Sequence, residues 1–298
     1  MAFVVSGLTK RFGNNIAVDN LSFSMDHPGI FGLIGTNGAG KTTTIRMILG
    51  ILPSDSGTAL WNGSKISRES LRFGYMPEER GIYMKNKVGE QLVYFGMLRG
   101  MTKKDAEASV RRYLDRMEIP QYYDMTAEKL SKGNQQKIQL IATLVHDPEL
   151  IFLDEPFSGL DPVNADMLDS ILRELVEQGK FIVMSSHQME TVERYCENLV
   201  ILDKGKTLIS GNLRDIKSSY GHTKLILSPD ERILPIASSL GIRLAERNAN
   251  GFLFSISCDD DAKKLITLLL ENGVIPEKYE IAEPSLSEIF IEKVGEAR

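Results

Sequence analysis

One eight-residue segment narrows the possible folds of this chain more than any other feature. Residues 35–42 read Gly-Thr-Asn-Gly-Ala-Gly-Lys-Thr and match the pattern G-x-x-x-x-G-K-[ST] in full. An apolar segment, residues 29–35, precedes this loop, and residues 42–49 have the pattern of a helix that ends at Gly50. A strand, a glycine-rich loop and a helix in this order direct backbone N–H groups and the positive end of the helix at a polyphosphate. The alternative is a glycine turn that caps an ordinary helix.

The chemistry of a phosphate-binding loop assigns roles to two of these side chains. Lys41 is predicted to neutralise the β- and γ-phosphates of a nucleoside triphosphate, and the Thr42 hydroxyl is predicted to ligate Mg²⁺. The residues predicted to bind the nucleotide along this segment are Gly35, Thr36, Asn37, Gly38, Ala39, Gly40, Lys41, Thr42 and Thr43.

Two acidic residues follow a run of apolar residues that is typical of a buried strand. Asp154 and Glu155 come directly after residues 150–153, and ligands of open parallel sheets bind at the carboxyl ends of the strands. We expect Asp154 to hold Mg²⁺ through water, and Glu155 to orient and deprotonate the attacking water. His187 follows the next apolar segment and is predicted to lie beside the same crevice if the two strands are neighbours. The alternatives are a solvated loop for the two acids and a structural role for the histidine.

Composition and charge exclude several classes of protein. Hydrophobic residues make up 42% and charged residues 25% of the chain, so a folded protein with a large core is expected. Its 35 Lys and Arg against 40 Asp and Glu give a net charge of −5, which lacks the basic excess of a dedicated nucleic-acid-binding protein. Cys196 and Cys258 are too few for a disulfide framework or a cysteine-built zinc site. No apolar run approaches ~18 residues and no signal peptide is recognised, so an intracellular protein is expected.

Patterns along the chain predict an α/β architecture. Residues 1–30 alternate and turn like an antiparallel sheet, and residues 86–145 are mainly helical. Within that helical region Thr102 is a predicted helix cap, and Asp161 followed by Pro162 is predicted to begin a further helix. Strand, helix and strand in this order indicate a parallel sheet with right-handed crossovers.

The character of the sequence changes after residue 198. A hairpin is predicted there, followed by a polar stretch at residues 218–222 that we interpret as a linker. Beyond it the order β-α-β-β-α-β is that of a ferredoxin-like α+β domain, and a last amphipathic helix is predicted over residues 285–294. The predicted domains are therefore residues 1–217 and residues 222–298.

Further motifs stand in a fixed order around these residues. Residues 130–135 read Leu-Ser-Lys-Gly-Asn-Gln, residues 158–161 read Ser-Gly-Leu-Asp, and His187 follows both. They resemble the signature loop, D-loop and switch histidine of the ATP-binding subunits of ABC transporters, and the phosphate loop and acidic pair resemble their Walker A and Walker B motifs. The resemblance covers roughly residues 1–215 and implies a P-loop NTPase, in which a RecA-like core carries an antiparallel β subdomain and a helical subdomain.

The resemblance also implies a mechanism that the spacing alone does not provide. Two cassettes, in a homodimer or a heterodimer, pair head to tail around two ATP molecules, so that Ser131 and Gly133 of one copy face the phosphate loop of the other. Phe12 corresponds to an aromatic residue of the family that stacks on adenine, and His187 corresponds to the histidine that acts beside the catalytic Glu155. Taken alone, Ser131 is also an ordinary helix cap.

Two departures from the family pattern affect the expected site. The signature loop has Lys132 and Asn134 where the family usually has glycine and glutamine. Glu78 occupies the position of the Q-loop glutamine, where a carboxylate could ligate Mg²⁺ while its charge repels the γ-phosphate. The alternative for Glu78 is a surface acid that pairs with Arg80.

The apolar residues after the Q-loop position have two interpretations. In the family this region receives a cytoplasmic helix of the membrane subunit, and a surface rich in methionine and aromatic residues suits such docking. The same residues fit the core of the helical subdomain equally well. They are Gly81, Ile82, Tyr83, Met84, Leu92, Tyr94, Phe95 and Met97.

The sequence resembles one branch of the family in particular. Lys132, Asn134, Glu78 and the ending at residues 284–290 are similar to the bacterial type-2 exporters, which include sodium-export-like and drug-export-like ATPases. This resemblance implies a cytoplasmic ATPase subunit, peripheral at the inner face of the cell membrane, that drives export through a separate permease. The alternatives are an importer subunit and a non-transport ABC ATPase that acts on ribosomes or DNA. The lack of a second cassette and of a basic excess disfavours the latter.

Overall fold

Two units make up the chain in the computed structural model. Internal contacts separate residues 1–210 from residues 211–298. None of the helices in the described ranges has both the length and the apolar character that a membrane span requires. The structure describes residues 3–66, 73–79, 81–248 and 251–296.

The first unit alternates strands and helices along the sequence. Its helices are α1 (Lys41–Ile48), α2 (Val88–Leu98), α3 (Lys103–Arg116), α4 (Lys132–Leu144), α5 (Pro162–Glu177) and α6 (Met189–Tyr195). Its strands, the last of which crosses into the second unit, are β1 (Phe3–Phe12), β2 (Asn15–Met25), β3 (Gly29–Gly35), β4 (Ser56–Trp61), β5 (Ser64–Lys65), β6 (Phe73–Met76), β7 (Leu150–Asp154), β8 (Phe181–Ser186), β9 (Asn198–Asp203) and β10 (Lys206–Asn212).

An antiparallel sheet is formed by the strands near the N-terminus. Its order is β2-β1-β4-β5, and each neighbouring pair is antiparallel. Buried side chains recur along β1 at Phe3, Val5 and Leu8, as expected of a strand with one face toward the core. The antiparallel β subdomain predicted from the sequence is therefore confirmed.

The central sheet has the order β10-β9-β3-β8-β7-β6. From β9 through β6 every neighbouring pair is parallel. Strands β3, β7 and β8 are buried along their whole length, as their continuous apolar sequences predict. Because β7 and β8 are parallel neighbours, the segments that follow them leave the sheet at the same edge, which was the condition for placing His187 beside the acidic pair.

Side-chain caps account for where two helices begin. Thr102 Oγ1 accepts the backbone N–H of Asp105 at 3.2 Å at the start of α3. Asp161 Oδ1 accepts the backbone N–H of Asn164 at 3.0 Å at the start of α5. Each bond satisfies an N–H group that has no partner within its own helix. Both predicted helix starts are confirmed.

The second unit has the strand order of a ferredoxin-like domain. Its sheet runs β12-β13-β11-β14 with antiparallel neighbours, as the predicted order of elements requires. Apolar side chains of the sheet form one core with those of α8 and α9. The elements are α7 (Leu213–Tyr220), β11 (Lys224–Leu227), α8 (Ile233–Ser239), β12 (Arg243–Asn248), β13 (Gly251–Ser255), α9 (Asp259–Glu271), β14 (Tyr279–Ala282) and α10 (Leu286–Glu296).

Helix α7 differs from the sequence-based expectation. The predicted linker at residues 218–222 has its first three residues in this helix. Asn212 Oδ1 caps α7 by accepting the backbone N–H of Arg214 at 3.0 Å, and Gly221, with φ +66°, follows its last residue. The serine-rich composition suggested a loop, but the cap and the glycine define a helix with both ends specified. The domain limits at 217 and 222 stay a prediction.

Candidate functional site

The phosphate loop joins the end of β3 to the start of α1. Gly40 adopts φ +107°, and a Cβ there would lie 2.4 Å from the carbonyl oxygen of Ala17. A Cβ on Gly35 would lie 2.4 Å from the carbonyl oxygen of Leu202. Because both neighbours are backbone atoms, neither can move aside as a flexible side chain would. The loop therefore requires glycine at these two positions.

Lys41 is buried at the start of α1, with 6% of its surface exposed. Its ammonium donates to the carbonyl oxygens of Gly35 at 2.7 Å and of Thr36 at 3.3 Å. The same Nζ lies 3.3 Å from Glu155 Oε1. A buried cation needs such partners because removing it from water is unfavourable. The lysine predicted to meet the terminal phosphates thus lies inside the loop and beside the predicted base.

Asp154, at the end of β7, accepts hydrogen bonds at both carboxylate oxygens. Thr42 Oγ1 donates to Oδ2 at 2.8 Å, and Ser185 Oγ donates to Oδ1. Only 1% of Asp154 is exposed. A carboxylate and a hydroxyl are the oxygen ligands that Mg²⁺ prefers. The two residues predicted to hold the metal therefore lie together, although 112 positions separate them in the sequence.

Ser185, near the end of β8, is a site residue that the sequence analysis did not single out. In addition to its bond to Asp154, its Oγ accepts the backbone N–H of Glu155 at 3.1 Å. One hydroxyl therefore fixes the side chain of the first acid and the backbone of the second. The available signal was a pair of polar residues, Ser185 and Ser186, at the end of an otherwise apolar strand.

Glu155 has a backbone conformation that residues other than glycine rarely adopt. Its φ is +53°, in the left-handed region. The side chain is buried, and its Oε2 lies 2.8 Å from His187 Nδ1. Its Oε1 lies at ion-pair distance from Lys41 Nζ but accepts no hydrogen bond within the described ranges. A buried carboxylate oxygen with unused accepting capacity suits a group that binds water during a reaction.

His187 connects the first turn after β8 to the acid that follows β7. Besides the contact at Nδ1, its backbone N–H lies 3.4 Å from Glu155 Oε2. The imidazole is 41% exposed, so one side faces the carboxylate and the other is accessible. Donation from Nδ1 to an ionised Glu155 requires the proton on that nitrogen. The structure therefore places Lys41, Glu155 and His187 in one continuous line of contacts.

A cavity of about 330 Å³ opens over the phosphate loop. It is lined by residues 37–43 of the loop and the start of α1, together with Glu78 and Glu155. Asn15 and Lys204 also line it, and neither was predicted from the sequence. These two residues lie near opposite ends of the sequence of the first unit, so only the order of strands in the folded sheets brings them to the loop.

Phe12, Ser131 and Gly133 were also predicted to bind nucleotide, and Phe12 pairs in the antiparallel sheet with Asn15, which lines this cavity. Phe12, at the end of β1, is 51% exposed, and Lys10 Nζ lies 5.6 Å from its ring centroid. Ser131 caps α4 by accepting the backbone N–H of Asn134 at 3.3 Å, and Gly133 follows in the first turn. None of the three lines the cavity over the loop in the part of the chain that the structure covers. Their contacts with nucleotide stay predictions.

A second cavity, of about 190 Å³, lies beside the two acids. Asp154, Glu155, Glu78 and Lys132 all contribute to its lining. Glu78 is exposed and lines both cavities. Its alternative partner in the sequence analysis, Arg80, lies outside the described residues. Two departures from the family pattern, Glu78 and Lys132, therefore meet at one cavity.

The apolar residues after Glu78 divide between core and surface. Ile82 and Leu92 are buried, whereas Tyr83, Tyr94 and Met97 are between 46% and 54% exposed. The buried subset agrees with the core interpretation, and docking of a membrane subunit stays a prediction for the exposed subset. The exposed subset forms an aromatic and methionine surface on α2 and the segment that precedes it.

The side chains at the first cavity fit a nucleoside triphosphate with Mg²⁺. The loop amides, the start of α1 and Lys41 provide the positive potential that phosphates require. Thr42 and Asp154 provide oxygen ligands for the metal. Glu155 provides a buried acceptor for the proton of a water molecule.

Comparisons with known proteins agree with this chemistry. The family model described as ABC transporter matches residues 18–158, and the model described as ATP-binding protein DrrA1-3-like, C-terminal domain, matches residues 211–294. A solved structure described as the ATP binding subunit of an ABC transporter is 29% identical with a TM-score of 0.68, and the match covers 74% of this chain and 94% of that one.

Two curated relatives match the chain over almost its whole length. The Nod factor export ATP-binding protein I of Ralstonia nicotianae is 32% identical over 300 residues, which cover 98% of this chain and 93% of that protein. The uncharacterized ABC transporter ATP-binding protein YhaQ of Bacillus subtilis is 45% identical over 292 residues, 98% of each chain. The chain therefore belongs to the ABC transporter family, as one of its ATP-binding proteins, and is an ATPase.

Proposed function

We propose that this ATPase powers export through a separate membrane permease, as one of two cassettes that enclose two ATP molecules. The observation that carries the proposal is the line of contacts from Lys41 through Glu155 to His187, beside the Thr42–Asp154 pair. It provides phosphate-binding, metal-binding and proton-accepting groups within one site. The direction of transport is inferred from the similarity to the Nod factor export ATP-binding protein and from the type-2 exporter pattern.

Binding of the triphosphate is expected to change the partners of Lys41. In the structure its ammonium contacts Gly35, Thr36 and Glu155. A phosphate tail carries more negative charge than these partners and offers more acceptors, so Lys41 turns toward it. Glu155 Oε1 then loses its cation and becomes available to water.

Thr42 and Asp154 are the residues that would hold Mg²⁺, with Glu78 as a further candidate at the cavity wall. Bound Mg²⁺ supplies neutralisation of the charge on the phosphate oxygens. Ser185 keeps the Asp154 carboxylate oriented through its hydroxyl.

Glu155 is proposed to accept the proton of the water that attacks the γ-phosphate. Its backbone is fixed by Ser185, and its Oε2 is held by His187. These two contacts leave Oε1 as the oxygen that meets water once Lys41 has turned away. Positioned general bases of this kind contribute roughly a hundredfold to ten-thousandfold to a rate.

The second cassette is proposed to close each site. Ser131 caps α4, a helix of 13 residues, and Gly133 lies in its first turn. The N-terminus of such a helix attracts phosphate. In the head-to-tail dimer this end of α4 meets the γ-phosphate that the other copy holds. Phe12 is proposed to stack on adenine once nucleotide is bound, since its exposed ring is available for that contact.

The permease is proposed to dock on the exposed surface of α2. Tyr83, Tyr94 and Met97 project there, beside a groove of about 220 Å³ that Phe95 and Leu98 help to line. A surface that is apolar and rich in methionine and aromatic residues suits an amphipathic helix from a partner. An ATPase bound in this way works in the cytoplasm, at the inner face of the membrane.

The alternative functions differ in what accompanies the protein when it is purified from its cells. A polytopic permease supports the proposal, whereas ribosomes or DNA support a non-transport ATPase. An importer subunit would bring a permease as well, so it is separated from an exporter by the direction of transport in vesicles. The net charge of −5 gives no support to nucleic acid as a partner.

The catalytic part of the proposal is tested by Glu155→Gln. The amide retains the size of the side chain but cannot accept the proton, so we expect ATP turnover to fall by at least about a hundredfold. ATP binding is retained, and a closed dimer accumulates that light scattering detects. Glu149→Gln, an exposed acid just before β7, is the matched control and keeps full turnover. Normal turnover by Glu155→Gln would remove this residue from the base role.

A further inference from the structure

We propose that Lys132 is a positioning residue that offsets the charge of Glu78 beside the hydrolysis site. The two departures from the family pattern would then compensate each other, and neither would be neutral alone. The inference rests on the proposed function of the site around Lys41 and Glu155, but it concerns a different cavity wall and a different pair of charges.

The first observation is the charge balance of the 190 Å³ cavity. Three carboxylates line it, those of Glu78, Asp154 and Glu155, and Glu155 is already paired with Lys41 from outside this cavity. Lys132 is the one cation among the lining residues that the structure describes. Like charges that share a small volume disfavour one another, and a nearby cation relieves that repulsion. A neutral amide at position 78, as in the family pattern, would not add to the repulsion between carboxylates in this cavity.

The second observation is the position of Lys132 in its helix. It is the first residue of α4, where the helix dipole disfavours a cation, and the first turn of α4 holds no acidic residue that would balance it. A carboxylate that balances Lys132 would therefore come from outside the helix. The carboxylates of the shared cavity meet that requirement, and the exposed lysine side chain has the freedom to approach them.

The third observation is a mechanical link between the helix and the loop that carries Glu78. Gln139, seven residues after Lys132 and so on the same face of α4, donates to the carbonyl oxygens of Pro77 at 2.5 Å and Glu79 at 3.2 Å. These bonds hold the backbone on both sides of Glu78. The helix that presents the cation therefore also fixes the segment that presents the acid.

The consequence concerns the nucleotide. Glu78 also lines the cavity over the phosphate loop, so its carboxylate lies where it would repel the terminal phosphate. Lys132 lines the adjoining cavity and carries a positive charge, so it offsets the repulsion between Glu78 and the phosphate. Lys132 thus acts on ATP through Glu78 rather than by contact.

A double-mutant cycle of Lys132→Gln and Glu78→Gln tests this inference in the full-length protein. The readouts are the Kd of a non-hydrolysable ATP analogue, and kcat and KM for ATP. Lys132→Gln should weaken binding roughly fivefold to tenfold and raise KM more than it lowers kcat, because an uncompensated acid acts on affinity. Glu78→Gln should tighten binding, the double variant should return to near the parental Kd, and Lys132→Arg should keep it.

Controls in the same region separate this effect from a general change of charge. Lys129→Gln removes an exposed lysine three residues away that does not line the cavity, and its effect should add to that of Glu78→Gln. Equal weakening by Lys132→Gln with and without Glu78→Gln would overturn the inference, because Lys132 would then act on nucleotide directly. Coupling of Glu78 to Arg80→Gln instead of Lys132→Gln would also overturn it. Either result leaves the Glu155→Gln test of the proposed function untouched.

Discussion

The two units of the chain differ in what they bury. The first encloses charged and amide side chains, among them Lys41, Asp154, Glu155 and Gln139. Within the described part of the second unit, Ser228 is the one polar residue that reaches the same degree of burial. Because a buried polar group is unfavourable unless it is paired, a fold retains such groups where chemistry needs them. The contrast therefore agrees with the site proposed in the first unit, whereas the second unit has an apolar core.

Both units have an apolar core, so the contrast between them is confined to the polar groups of the site. In the second unit Phe252 and Phe254 meet edge to face, with ring centroids 6.4 Å apart, and both rings are buried. In the first unit the space between the sheet edge and the loop is filled by hydrogen-bonded groups such as Ser185 and Asp154. Apolar packing stabilises the second unit, whereas specific polar pairs fix the side chains at the site of the first unit.

The largest effect is expected from Phe254→Ala. Truncation of this buried ring should lower the free energy of unfolding of the second unit by about 3–5 kcal/mol, because it removes apolar contact and leaves a cavity. Urea unfolding of the full-length chain measures this loss, and the Kd of an ATP analogue should not change.

Leu270→Ala provides the matched comparison for that variant. Leu270 lies in the same unit but is 53% exposed, so its truncation should change stability little. A weakened Kd for the ATP analogue in Phe254→Ala would break the contrast, since it would show that the second core supports the site.

A smaller effect is expected from Lys41→Ala, and it should change the affinity for ATP. Loss of charge-assisted bonds to the phosphates should make the free energy of ATP binding less favourable by about 3 kcal/mol, or roughly a hundredfold in Kd. Isothermal titration measures this change. Lys204→Ala is the control, because Lys204 lines the same cavity but is exposed. Unchanged affinity in Lys41→Ala would contradict the assignment of the loop.

The smallest effects are expected from two helix caps, one in each unit. Thr102→Ala and Asn212→Ala each remove a bond to an N–H group at the start of a helix, which should lower stability by about 1 kcal/mol. In calorimetry each variant should shift the transition of its own unit. If both variants shift one common transition, the two units unfold together. The contrast between them would then concern their buried groups and not their stability.

The features that sequence reasoning predicted are those set by short-range patterns. The phosphate loop was recognised because Gly35 and Gly40 stand at fixed distances from Lys41, and each glycine is required by its own backbone surroundings. The caps Thr102 and Asp161 were recognised because a capping side chain acts on an N–H group only three residues away.

The features that were missed depend on sheet order or on weak local preferences. Ser185 reaches the acids only because β8 lies beside β7, and no local signal states that. Gln139 was not singled out from the sequence, because its bonds to the segment around Glu78 join positions about 60 residues apart. Helix α7 was missed because Ser218 and its neighbours have a composition typical of loops.

The left-handed backbone of Glu155 affects which residues are favoured at this position during evolution. A side chain at φ +53° is held at an energetic disadvantage of about 1–2 kcal/mol that glycine would not suffer. Replacement by glycine would thus relax the turn but remove the proposed proton acceptor, so that backbone stability and the proposed chemistry favour different residues at this position. Because the same side chain also pairs with buried Lys41, the strained acid is expected to persist only while that pair and its proposed role are needed.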